Sequence, residues 1–163
     1  MTTDKPDVLF ARPLYSYSLD EVAGFCSAHK LWEADDPDAM LASLAPTCRA
    51  AVTRAVFTAD WMAKLPHLGL IAVCGVGYEG VDLEAATKGG ILVTNTPDVL
   101  TEEVADYGVA LLLASARRIV AGDRYVRQGR WPEEGAMAYG QRFYGRRLGI
   151  LGLGRIGLAL SRR

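Results

Sequence analysis

Two glycine clusters hold the residues best suited to chemistry in this 163-residue chain. The first, Gly152-Leu153-Gly154-Arg155-Ile156-Gly157, has the spacing G-x-G-x-x-G. Between a strand and a helix each glycine has its own task. Gly152 permits the tight turn, Gly154 lets a pyrophosphate approach a backbone with no Cβ in the way, and Gly157 lets helix and strand pack closely. The amides of Arg155 and Ile156 open the helix and point at the anion, which the helix dipole also favours. The second cluster is Gly75-Val76-Gly77-Tyr78-Glu79-Gly80. A strand ending in small residues exposes consecutive N–H groups, a nest suited to a carboxylate. The same residues also suit a flexible strand-to-helix turn, and their types alone leave both roles open.

The elements that must position these clusters follow from hydrophobic patterning. Asp7–Ala11, Ala50–Thr53, Leu68–Cys74 and Ile91–Asn95 read as buried strands. A helix is expected from Leu19 to about Lys30, with Ser18 and Glu21 as a capping box. Asp36-Pro37 starts a second helix with proline at its first position. Thr58 caps a third that reaches Leu65, and a fourth runs from Asp82 to about Lys88 before Gly89-Gly90. This alternation predicts an α/β protein with a parallel sheet. Thr101 reads as the N-cap of a long helix in which Val104, Tyr107, Gly108, Leu111, Leu112, Ser115 and Ile119 recur at helical spacing. That pattern continues to about Gln128. Gly108 costs about 1 kcal/mol relative to alanine in a helix, which implies close packing against another element. Residues 129–145 read as an ordered loop with one helical turn, and Arg147–Leu151 as the strand that delivers the G-x-G-x-x-G turn.

Composition bounds the answer. Half the residues are hydrophobic and 23% are charged, an ordinary globular balance that excludes a disordered tail or a collagen-like repeat. The net charge of −1 does not point to nucleic acid or an acidic membrane. Charge is uneven, however. Residues 1–116 carry a net −9, and residues 117–163, with 11 arginines, a net +8. Glycines, Trp131, Pro132, Glu133 and Glu134 interrupt the arginines. The segment therefore reads as a solvated helix flank and a loop facing an anionic cofactor or an acidic neighbour, with nucleic-acid binding the remote alternative. Cys26, Cys48 and Cys74 form no C-x-x-C and read as buried reduced thiols, as in a cytoplasmic protein, and no metal site is expected. The apolar run near the N-terminus is too short for a signal sequence, and no run is long enough to span a membrane.

Three segments carry a family resemblance: GVGYEGVD at 75–82, VTNTPDVLTEEVADYGVALLLASARRI at 93–119 and RRLGILGLGRIG at 146–157. GDRYVRQGRW at 122–131 supports it. The chain resembles the D-isomer-specific 2-hydroxyacid dehydrogenases, in the branch of hydroxyphenylpyruvate, hydroxypyruvate and glyoxylate reductases. The resemblance implies a flavodoxin-like substrate domain over residues 1–99 and the start of a Rossmann domain over residues 100–163. It implies NAD or NADP as cofactor, a small 2-oxo or 2-hydroxy acid as substrate, and a homodimer in the complete enzyme. It gives the amides of Val76 and Gly77 to the substrate carboxylate. Thr101 falls near the nicotinamide, beside its reading as a plain N-cap. Gly152, Gly154, Arg155, Ile156 and Gly157 fall to the pyrophosphate, and Trp131 to packing at a domain or subunit contact.

The family's catalytic Arg, acidic residue and His have no matching positions in these 163 residues, so no catalytic residue is assigned. His29 and His67 read as surface residues. The acidic ribose ligand that decides between NAD and NADP would fall past residue 163. Family members are about twice as long, so this chain reads as an incomplete, inactive form with exposed apolar helix surface. The alternative is a non-catalytic module that pairs with itself or with a full-length dehydrogenase.

Overall fold

Three- and four-residue strands are too short to persist alone, and the first half of the chain assembles five of them side by side. They are β1 (Asp7–Phe10), β2 (Ser27–Lys30), β3 (Ala50–Thr53), β4 (Leu70–Val73) and β5 (Leu92–Thr94). All pair in parallel, in the order β2-β1-β3-β4-β5. This is the flavodoxin-like order, whose switch point lies between β1 and β3. The structure is a computed structural model and describes residues 5–163. Two compact units are present, one ending at Pro97 and the other spanning Asp98–Arg163.

Polar caps set the helices of the first unit. α2 (Pro37–Leu44) starts at Asp36, whose carboxylate accepts from the amides of Asp38 and Ala39. α3 (Ala59–Ala63) starts at Thr58, which accepts from the Trp61 amide, and α4 (Leu83–Lys88) at Asp82, which accepts from Ala85. Each cap satisfies a helix-end N–H that would otherwise lack a partner. The core joins Leu9, Ala51, Ile71 and Val73 of the strands to Leu41, Leu44, Phe57, Met62 and Leu65. Phe57 meets Trp61 edge-on at 5.5 Å.

The first helix departs from expectation. α1 occupies Ser16–Ala23 and leaves Ser18 inside it rather than at its cap. The chain turns at Gly24, and Ser27–Lys30 pairs with β1 as an edge strand instead of continuing the helix. His29 donates or accepts through Nε2 with Asp7 Oδ1 at 2.7 Å and is half-buried, so it is not a plain surface residue. Cys74 also differs. It is exposed, because it follows β4 on the side opposite Ile71 and Val73, while Cys26 and Cys48 are buried and burial pushes their thiols up.

The second unit contains α5 (Thr101–Ala116), α6 (Ile119–Arg127), α7 (Arg130–Glu134) and α8 (Arg155–Ser161). The expected single helix to Gln128 is broken at Arg117-Arg118, where Arg118 takes a left-handed φ of 55°. Thr101 is the first helical residue rather than the cap, which is Leu100, and no side chain caps this end. A Cβ on Gly108 would lie 2.7 Å from Leu160 Cδ1, so the glycine marks the close approach of α5 and α8. Residues 147–151 form no strand. A strand requires a neighbour to take its backbone hydrogen bonds, and every strand of the described sheet lies between Asp7 and Thr94.

Val104, Tyr107, Leu111, Ile119, Val120 and Val126 are exposed on α5 and α6, and Trp131 is exposed on α7. Four of its arginines are ion-paired: Arg127 with Asp123, Arg130 with Glu134, Arg155 with Asp98, and Arg163 with Glu102 and Asp106. No helix of the described residues is long and apolar enough to cross a membrane.

Candidate functional site: a two-amide loop and a glycine-rich turn

Parallel strands deliver their following loops to one edge of the sheet, and ligands of open α/β sheets collect there. After β4 the chain enters Gly75-Val76-Gly77. Among the described residues neither the Val76 nor the Gly77 N–H donates to a protein acceptor. The carbonyls beside them are engaged. Thr96 N–H donates to Gly75 O at 2.9 Å, and Asn95 Nδ2 donates to Val76 O at 2.8 Å. Val76 and Gly77 are solvent-exposed, so their amides are open to an external anion. The third glycine of the cluster has a packing task instead. A Cβ on Gly80 would fall 2.1 Å from Ala55 O, where the Phe57–Val81 bridge draws the two segments together.

Three further features of this edge involve residues to which the sequence assigned no role. Glu79 brings its carboxylate beside Gly77, with Oε2 2.6 Å from where a Cβ would stand. Arg54, which follows β3, lies over the ring of Tyr15, which follows β1, at 5.0 Å; Tyr15 stacks in turn on Tyr17 at 5.9 Å. Asn95 and its neighbours Tyr78, Leu83, Val93 and Thr94 line a cleft of about 200 Å³. The Arg54–Tyr15 contact and the cleft join residues from separate elements, so only the topology reveals them.

The other candidate lies in the second unit. Gly152 has φ 96°, a left-handed value open to glycine, and turns the chain toward α8. A Cβ on Gly157 would meet Gly152 O at 2.1 Å, so only glycine fits that position. A Cβ on Gly154 would meet nothing within 4 Å, so its missing side chain leaves open space over the turn. Gly154 is the N-cap of α8, no side chain caps that end, and no acidic residue stands in the first turn. An uncapped helix start over open space fits a pyrophosphate. The side chain of Arg155 pairs with Asp98 at 2.5 Å. Asp98 has a left-handed φ of 71°.

Neither histidine belongs to these places. Asp7 opens β1, at the end of the sheet opposite Gly75, and the ring of His29 on β2 reaches its carboxylate, while His67 is exposed before β4. The hydroxyl of Thr47 and then the ring of His29 hold the Asp7 carboxyl below its usual range. No group of His, Cys, Asp and Glu among the described residues could hold a metal ion.

A flavodoxin-like sheet with a two-amide loop, followed by a glycine fingerprint that opens a helix, is a pattern of α/β oxidoreductases. The chain belongs to the D-isomer specific 2-hydroxyacid dehydrogenase family, whose catalytic-domain model matches residues 8–147. It is 40% identical over 165 residues to a glyoxylate reductase from Korarchaeum cryptofilum, covering 98% of this chain and 49% of that protein. A solved 2-hydroxyacid dehydrogenase from Ketogulonicigenium vulgare superposes with a TM-score of 0.87 at 43% identity, over 97% of this chain and 50% of that one. An NADPH-dependent glyoxylate/hydroxypyruvate reductase from Sinorhizobium meliloti, solved with NADP and malonate, gives 0.86 at 37% identity, over 97% and 49%. The chain spans about half the length of the relatives it matches.

Proposed function

We propose that these 163 residues supply the 2-oxo-acid cradle and the pyrophosphate turn of an NAD(P)-dependent reductase that converts small 2-oxo acids to D-2-hydroxy acids. The observation that carries this reading is the pair of unengaged amides at Val76 and Gly77, in a family whose relatives are named for glyoxylate and hydroxypyruvate. In this reading residues 1–99 are the substrate domain and residues 100–163 begin the cofactor domain. The Val76 and Gly77 N–H groups bind the substrate carboxylate and leave its carbonyl projecting from the loop. Gly152 and Gly157 shape the second turn, Gly154 admits a phosphate oxygen, and the Arg155 and Ile156 amides donate to it. Thr101 contacts the cofactor near its nicotinamide, which when bound supplies a hydride to the carbonyl carbon. The three free cysteines, two of them buried, support a cytoplasmic setting.

Reduction also requires a proton for the new hydroxyl oxygen and a cation against the carbonyl. Neither histidine stands beside the amide loop: His29 is engaged with Asp7, and His67 precedes β4. We therefore propose that the chain by itself does not turn over. The test is NAD(P)H oxidation with glyoxylate, hydroxypyruvate and hydroxyphenylpyruvate. Background rates are expected, and turnover well above background would overturn this part.

The exposed Val104, Tyr107, Leu111, Ile119 and Val120 favour a second reading, in which the chain pairs with a second copy or with a full-length dehydrogenase. Copurification with such a dehydrogenase supports it, and a stable monomer by light scattering argues against it.

A further inference from the structure

The amides of Val76 and Gly77 can act together only if both N–H vectors face the same way, and the loop contains no proline to fix its dihedrals. Two bonds from one neighbouring segment meet that need. A trans peptide is planar, with its C=O and N–H pointing in opposite directions. No peptide bond of the described residues is cis. The carbonyl of Gly75 and the N–H of Val76 share one such plane, and the carbonyl of Val76 and the N–H of Gly77 share the next. Thr96 N–H takes the first carbonyl at 2.9 Å, and Asn95 Nδ2 takes the second at 2.8 Å. Both carbonyls are therefore held on the β5 side, and both N–H groups face away from it.

We propose that Asn95 is a positioning residue of the carboxylate cradle: it fixes and polarises the Val76–Gly77 peptide so that the Gly77 N–H is aimed at the substrate carboxylate before binding. The inference deepens the reading of the loop given above and rests on it. Val76 O can only accept, so the side chain must present Nδ2. An isosteric carboxylate at position 95 would set two acceptors against each other. A hydrogen bond to the carbonyl also strengthens the N–H of the same amide as a donor, because the bonds polarise one another. Asn95 is half-buried at the end of edge strand β5 and serves no fold-wide core. Its replacement should thus move the loop and leave the sheet intact.

The experiment uses the full 163-residue chain, labelled with ¹⁵N and titrated with oxamate, a 2-oxo-acid analogue that is not reduced. In the native chain oxamate is expected to shift the Val76 and Gly77 amides. Asn95→Ala should move the Gly77 ¹⁵N resonance without ligand, leave Tm within about 2 °C and weaken oxamate by roughly tenfold. Asn95→Asp, of the same volume, should weaken it at least as much, and it keeps the test informative if the alanine variant fails to fold. Oxamate affinity within twofold of the native chain in the folded variants overturns the inference alone. Failure of oxamate to reach Val76 and Gly77 in the native chain overturns the cradle itself, and the inference with it.

Discussion

A methyl group on Gly157 would stand 2.1 Å from the carbonyl oxygen of Gly152, whereas one on Gly154 would meet nothing within 4 Å. Two glycines of one motif are thus required for different reasons. Gly157→Ala must displace rigid backbone and should destabilise its unit by about 1–3 kcal/mol. Gly154→Ala should fold normally, at an ordinary φ of −74°, yet block the close approach of a phosphate. Tm by circular dichroism and NADPH affinity by fluorescence separate the two. Equal Tm losses in both variants would contradict the assignment.

Glu79 sets a carboxylate beside the amide loop that is proposed to receive one. Two unit charges roughly 6 Å apart in a water-like medium interact by about 0.7 kcal/mol, a factor of about three in affinity. Glu79→Gln should therefore tighten oxamate binding about threefold at low salt, and the gain should shrink as salt is added. Unchanged or weaker binding at low salt would show that Glu79 helps shape the loop rather than repelling the ligand.

The Asp7 carboxyl is held below its usual range by Thr47 and His29, so the folded chain keeps it ionised where the unfolded chain takes up a proton. A lowered carboxyl contributes stability above its unfolded value, near pH 4, and loses that contribution as pH falls through the folded value. Asp7→Asn should lower Tm at pH 7, and the gap from the native chain should narrow at pH 3. A gap of the same size at both pH values would exclude this linkage.

Leu111 and Val120 line a groove on exposed surface of α5 and α6. If that surface drives association, Leu111→Glu should weaken self-association by about tenfold or more in sedimentation equilibrium, since it sets a charge against apolar surface. A native chain that stays monomeric at high concentration would remove the second reading altogether.

Much of this architecture was legible in the chain because its signals are local. Thr58 acts as the cap its position implies, helices start at Asp36 and Asp82 as expected, and Gly108 meets Leu160 where its helical cost implied contact. What escaped depends on partners distant in sequence. Ser27–Lys30 is polar enough to extend a helical pattern and becomes a strand only because β1 offers it an edge. Residues 147–151 are apolar enough for a strand but gain no neighbour. Within α5 the apolar spacing runs past Arg117, and no residue type announces the left-handed turn at Arg118. At the candidate site the glycines could be read directly. Asn95 lies 19 positions from Val76, and only the adjacency of β4 and β5 gives it a carbonyl to hold.

On this reading the chain carries two separate anion sites, and residue-resolved titration of the ¹⁵N-labelled protein separates them. Oxamate alone should shift Val76 and Gly77, and NADPH alone should shift Gly154, Arg155, Ile156 and Gly157, each set moving with little response from the other. Shifts scattered over the arginines of residues 117–163 for both ligands, with these amides unmoved, would contradict the account.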